Sequence, residues 1–160
     1  MSAPFFPEIE AIPYQGPDSE NPLAYRFYDA ERSVLGKSMR EQLRFAVCYW
    51  HSFCWPGDDV FGDGCFQRPW FEGGSPLELA ERKLSAAFEL FEKLGAPFFT
   101  FHDRDLSPAG VSVAETQSNL DRMIERAEAE MSRTGVKLLW GTANLFGHPR
   151  YAAGAATNPD

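Results

Sequence analysis

His102 and Asp105 stand three residues apart in "FFTFHDRDLSP", where a strongly apolar run stops at a histidine followed by two aspartates and an arginine. An imidazole and a carboxylate at that spacing, across a strand-to-loop turn, lie close enough for the carboxylate to accept the Nδ1 proton. Such a contact fixes the tautomer and raises the basicity of the other nitrogen, which suits a general acid or base near neutral pH. The alternative is a histidine satisfied by a local turn beside a solvated D-R-D run. Trp50 and Trp140 tip the balance toward chemistry. A lone tryptophan is usually core filler. Two that converge on one mouth beside a His-Asp pair make a flat, water-excluding wall, on which the C–H faces of polyhydroxylated sugars stack.

These side chains need elements to aim them. "RFAVCYWH", residues 44–51, is rich in β-favouring and aromatic types and stops abruptly in the loop "SFCWPGDDVFGDG", so it reads as a buried strand followed by a long connection. A loop of this length that carries Trp55, Phe61 and Phe66 is more often functional or interface-forming than idle. "SPLELAERKLSAAFELFEKLG" is the clearest helix, with Ser75 and Glu78 as a capping box, Pro76 in the first turn and Gly95 as a left-handed stop. Leu77, Ala80, Leu84, Phe88, Phe91 and Leu94 give it one apolar stripe. A second strand, "PFFTFH", precedes a second helix framed by Ser112, Glu115 and Gly135, and "VKLLWGTAN" is a third strand. Strand, helix, strand, helix, strand is the grammar of a parallel α/β sheet, either doubly wound or a (β/α) barrel. Residues 1–43 show no sustained period and read as an N-terminal arm; residues 44–160 hold the α/β part.

Side chains alternate faces along a strand. Phe98, Thr100 and His102 therefore share one face and Phe99 and Phe101 the other. By the same count Ala46, Cys48 and Trp50 share a face, as do Leu138, Trp140 and Thr142. All three strands end on an aromatic, an imidazole or a hydroxyl at the carboxyl end, which is where parallel α/β folds bind ligands.

Charge and cysteine content exclude several other classes. A formal net charge of -8 and a pI near 4.9 argue against nucleic acid as a partner. The longest apolar runs are too short for a membrane span. Three cysteines and a start without the layout of a secretory signal point to the cytoplasm. Cys48, His51 and Cys54 form a C-x2-H-x2-C cluster, but no fourth ligand stands at a familiar zinc spacing. "PGDDVFGDG" lacks the alternating ligands and closing glutamate of a calcium loop. Nucleotide-binding, zinc-protease and serine-hydrolase motifs are absent.

"RFAVCYWHSFCWPGDDVFG", "FTFHDRDLSP" and "LLWGTANLFGHPR", with the arm "YQGPDSENPLAYRFYD", resemble consecutive segments of the xylose isomerase family, the larger class with an N-terminal arm. The resemblance implies a (β/α)8 TIM barrel of which this chain carries the first three strands and two main helices. It implies an aldose-ketose isomerase that interconverts D-xylose and D-xylulose, often glucose and fructose too, as a cytoplasmic homotetramer. Two divalent cations (Mg, Mn or Co) belong to that chemistry, with ligands on strands beyond the end of this sequence. By the same resemblance His102 opens the sugar ring, and Asp105 orients it. Trp50, Trp140, Thr142 and Phe146 shape the substrate pocket, and Phe61 is the aromatic that a neighbouring subunit inserts.

The chain closes on "ATNPD", where Asn158 and Pro159 are suited to open a helix, so the expectation is an N-terminal fragment, inactive alone for want of the metal ligands. Two alternatives stay open: a non-catalytic partial barrel that acts as an interaction module, and a related metal-dependent TIM-barrel enzyme such as an abasic-site endonuclease.

Overall fold

The computed structural model describes residues 3–145. In the arm, a two-residue hairpin of β1 (Ser33–Val34) and β2 (Lys37–Ser38) leads into a single helical turn, α1 (Met39–Gln42). The hairpin was not expected from the sequence, because two-residue strands leave no periodic trace. Further back, the arm lies along a long helix, α2 (Pro76–Leu94). Glu89 accepts hydrogen bonds from the Phe5 and Phe6 amides at 2.7 and 3.0 Å, Lys93 reaches the Phe6 carbonyl, and the Tyr25 hydroxyl donates to the Leu94 carbonyl at 2.7 Å. The arm thus satisfies carbonyls at the end of α2 that the helix itself leaves unpaired.

The first strand of the sheet, β3 (Ala46–Cys48), is shorter than the predicted 44–51. The backbone turns helical at Tyr49 and runs through one π-helical turn, Trp50–Cys54, closed by the Trp55 amide on the Trp50 carbonyl at 3.0 Å. Trp50 is therefore not a strand residue, and the parity count over Ala46, Cys48 and Trp50 does not hold. A 3-10 turn, Pro69–Phe71, buries Trp70, whose indole donates to the Phe53 carbonyl at 2.9 Å.

The expected ends of α2 are present. Ser75 accepts from the Glu78 amide, Glu78 accepts from the Ser75 amide, and Gly95 sits at φ 64 with its N–H on the Glu92 carbonyl. The stripe buries Ala80, Leu84, Phe88 and Phe91, and Ala86 and Ala87 widen it. β4 (Phe98–His102) follows, then a four-residue helix, α3 (Asp103–Leu106), too short for any periodicity to announce. The second long helix, α4 (Val113–Thr134), starts at Ser112 and stops at Gly135, φ 76. Its cap departs from the expected box: Ser112 accepts from Glu115, but the Glu115 carboxylate turns one residue further back, to the Val111 amide at 2.8 Å.

β5 (Lys137–Thr142) completes a parallel sheet in the order β3-β4-β5. The helices α2 and α4 pack on each other, joined by Arg122–Glu81 and Arg133–Glu92 ion pairs. Both helices therefore cover one face of the sheet, as in a singly wound arrangement rather than a doubly wound one. Phe99 is the hub of the core, stacked on Phe91 at 5.4 Å and edge-on to Phe88 at 5.3 Å. The three strands form an open sheet, not a closed barrel, and every residue of β5 is exposed.

Candidate active site

The His-Asp pair forms where β4 hands over to α3. One oxygen of Asp105, Oδ2, accepts both the His102 backbone N–H at 3.0 Å and the ring Nδ1 at 2.8 Å. The short helix brings the carboxylate back over the strand end. A carboxylate can only accept, so Nδ1 carries the proton and Nε2 is left as the acceptor. The pair is mostly shielded, with side chains 26% and 12% exposed.

Trp50 and Trp140 both reach His102. The Trp50 ring lies 4.6 Å from the imidazole and 5.5 Å from Trp140, and Trp140 meets His102 edge-on at 6.1 Å. The convergence expected from the sequence is present, but it arises by a different route for each indole. Trp50 is delivered by the π-helical turn after β3. Trp140 depends on an irregularity in β5: Phe99 pairs with Leu138, while Thr100 pairs with Trp140, so Leu139 is an extra residue. With even pairing Trp140 would lie opposite Phe101, on the helix-covered face. The bulge turns it to the face of Thr100 and His102. The same shift corrects the expected Leu138, Trp140, Thr142 face, because Leu138 pairs with Phe99 and faces the helices. Thr142 pairs with His102 and sits beside it at the sheet's edge.

Asp103, which the sequence reading passed over, ties the mouth together. Its Oδ1 accepts from the Arg104 amide and from the Asn144 amide, both at 2.7 Å, and so fastens the segment after β5 to the end of β4. Only a partner 41 residues away in sequence reveals this bond, so no local signal marks it. Behind Asp105, the Cys54 thiol meets the Asp105 carbonyl at 3.6 Å and receives the Lys83 ammonium at 3.3 Å. Burial pushes the Cys54 thiol above its ordinary value, against the pull of Lys83.

Phe61 stands apart from this cluster, 94% exposed, on a loop where its amide bonds Asp59 Oδ1 at 2.7 Å. Phe146 lies outside the described residues. Among the described residues no group of three or more His, Cys, Asp or Glu side chains is placed to hold a metal ion, Cys48, His51 and Cys54 included. The divalent cations implied by the family resemblance likewise find no ligand set among the described residues. Also among these residues, no helix is long and apolar enough to cross a membrane.

No protein-family model matches the chain. Among curated proteins it is similar to the xylose isomerase of Burkholderia ambifaria (strain MC40-6), 59% identical over 156 residues that make up 98% of this chain and 36% of that protein. The xylose isomerases of Pseudomonas savastanoi pv. phaseolicola and Photobacterium profundum are each 55% identical, again across 98% of this chain and 36% of their own length. The chain is thus homologous, over almost all its described and remaining residues, to a segment of the xylose isomerases, and it spans 36% of the length of the relatives it matches.

Proposed function

We propose that this chain is the N-terminal part of an aldose-ketose isomerase acting on D-xylose, and that it carries the ring-opening part of the site. The observation that supports the reading most directly is the His102–Asp105 contact of 2.8 Å enclosed by two indoles. His102 Nε2, opposite the nitrogen held by Asp105, accepts and returns a proton as the C1–O5 bond of the pyranose opens. Asp105 holds the ring in place and stabilises the imidazolium that forms. Trp50 and Trp140 take the C–H face of the sugar and exclude water, and Thr142 bounds the pocket beside them. Phe146 is assigned to the same pocket and Phe61 to the site of a neighbouring subunit. In this reading the sheet continues into a (β/α)8 barrel, the metal ligands stand on its later strands, and the protein is a cytoplasmic homotetramer.

Ring opening can be measured without isomerisation, because it is the step that interconverts sugar anomers. Polarimetry of freshly dissolved α-D-xylopyranose with the purified chain is expected to show accelerated mutarotation that His102→Ala abolishes. D-xylulose formation, followed in the same samples with added Mg or Mn, reports separately on the complete reaction. Acceleration that persists in His102→Ala would sink the assigned role.

One observation favours a second reading. All six residues of β5 are exposed, Leu138, Leu139 and Trp140 among them, which is a surface suited to pairing. A chain that self-associates through this edge, and leaves mutarotation unaffected, would be an interaction module rather than part of an enzyme.

A further inference from the structure

A cavity of about 150 Å³ opens between α2 and the segment that follows α3, and none of Trp50, His102 or Trp140 lines it. Its wall is mainly apolar, built from Trp70, Leu79 and Leu106, and its polar groups are Lys83, Arg104 and Ser107. Those polar groups are poorly matched. Among the described residues the Lys83 ammonium has only soft partners, the Cys54 sulfur at 3.3 Å and the face of Tyr49 at 5.6 Å. Ser107 is 5% exposed, and among the described residues its hydroxyl reaches no better acceptor than the adjacent Pro108 carbonyl at 3.5 Å, the outer limit of a hydrogen bond.

Among the described residues, neither Lys83 nor Arg104 has a carboxylate within ion-pair distance. Lys93 on α2 and Arg122 and Arg133 on α4 do. In a chain of net charge -8, this apolar hollow carries two cations and no carboxylate among the residues that line it. Lys83 is partly buried, and a charge withdrawn from water is costly unless it is paired.

We propose that this cavity binds a small organic monocarboxylate. The carboxylate pairs with Lys83 and Arg104 and accepts from the Ser107 hydroxyl, while the apolar body rests on Trp70, Leu79 and Leu106. A cavity near this volume holds a benzene-sized body, so benzoate is a fitting probe. Inorganic phosphate carries charge but would leave the apolar wall uncovered. The inference stands independently of the sugar reading, since the two sites share no residue.

Isothermal titration of the purified chain with benzoate tests it, with benzamide as the neutral isostere and inorganic phosphate as the bare anion. Benzoate is expected to bind at least about tenfold more tightly than either, each tenfold being about 1.4 kcal/mol. Lys83→Met is expected to remove that preference, Arg104→Gln to weaken it, and Lys137→Met, remote from the cavity, to leave it intact. Equal binding of benzamide would reduce the site to an apolar hollow, and equal binding of phosphate would make it a general anion site; either overturns the proposal, as does the absence of benzoate binding. The comparison of probes uses the unaltered chain, so it decides the matter even if Lys83→Met fails to fold.

Discussion

Asp105→Asn keeps the outline of the side chain and removes its charge, which isolates what the carboxylate contributes to His102. One oxygen receives both the backbone amide and the ring nitrogen, at 3.0 and 2.8 Å. When His102 takes a proton, the new cation lies about 4 Å from the centre of the carboxylate charge, where the attraction is about 1 kcal/mol in water and about 4 kcal/mol at an effective dielectric of 20. Side chains 26% and 12% exposed stand between these limits, and about 2 kcal/mol is a reasonable working figure. Because the imidazolium exists only once the proton has moved, the loss falls on the barrier, and it predicts a mutarotation rate lower by about 30-fold at 1.36 kcal/mol per tenfold. Polarimetry with α-D-xylopyranose is the assay, run with a thermal melt to show that the α3 turn survives. A folded Asp105→Asn chain whose rate stays within about twofold of the parent would refute the argument, since a charge at this distance cannot be that silent.

Three further predictions follow from the packing. Burial raises the Glu89 carboxyl, but the Lys93 ammonium and the Phe5 and Phe6 amides outweigh it and hold the group below its ordinary 4.5. A depressed carboxyl stabilises the docked arm fully above 4.5 and gives that stabilisation up as pH falls through the lower folded value. Protection of the Phe5 and Phe6 amides from hydrogen exchange should therefore drop in that acid window, and Glu89→Gln should show low protection throughout; an unchanged profile in Glu89→Gln would contradict this. Phe99→Ala empties the centre of the aromatic cluster and should cost about 3–5 kcal/mol, read from the urea midpoint, with a cost under about 1 kcal/mol counting against the hub role. Deleting Leu139 removes the extra residue and leaves both indoles on the His102 face, so the circular-dichroism couplet of Trp50 and Trp140 should persist; its disappearance would mean that the bulge does not set the face.

The ends of α2 were legible because a capping box, a proline and a glycine are local signals with local physics. So was the His102–Asp105 contact, since a spacing of three across a strand end leaves few other places for the carboxylate. Trp50 was assigned to the right neighbourhood by the wrong element, because one π-helical turn is too short to carry a period. The aim of Trp140 was illegible for a different reason. A strand's own alternation says nothing about how it registers with its neighbour, and the extra Leu139 exists only in relation to β4. Asp103 to Asn144 and Lys83 to Cys54 are likewise long-range facts, invisible until the fold brings the partners together.

The arm's contacts with α2 set an order of assembly. Phe5 and Phe6 are made well before their partner Glu89, which stands 84 and 83 positions later. Closing so long a loop is slow compared with winding a helix, so α2 forms first and offers a finished surface. The arm must wait unattached until then, and its prolines and acidic residues keep it solvated meanwhile. It is synthesised before α2 and docks after it, which leaves it open to proteolysis in the interval.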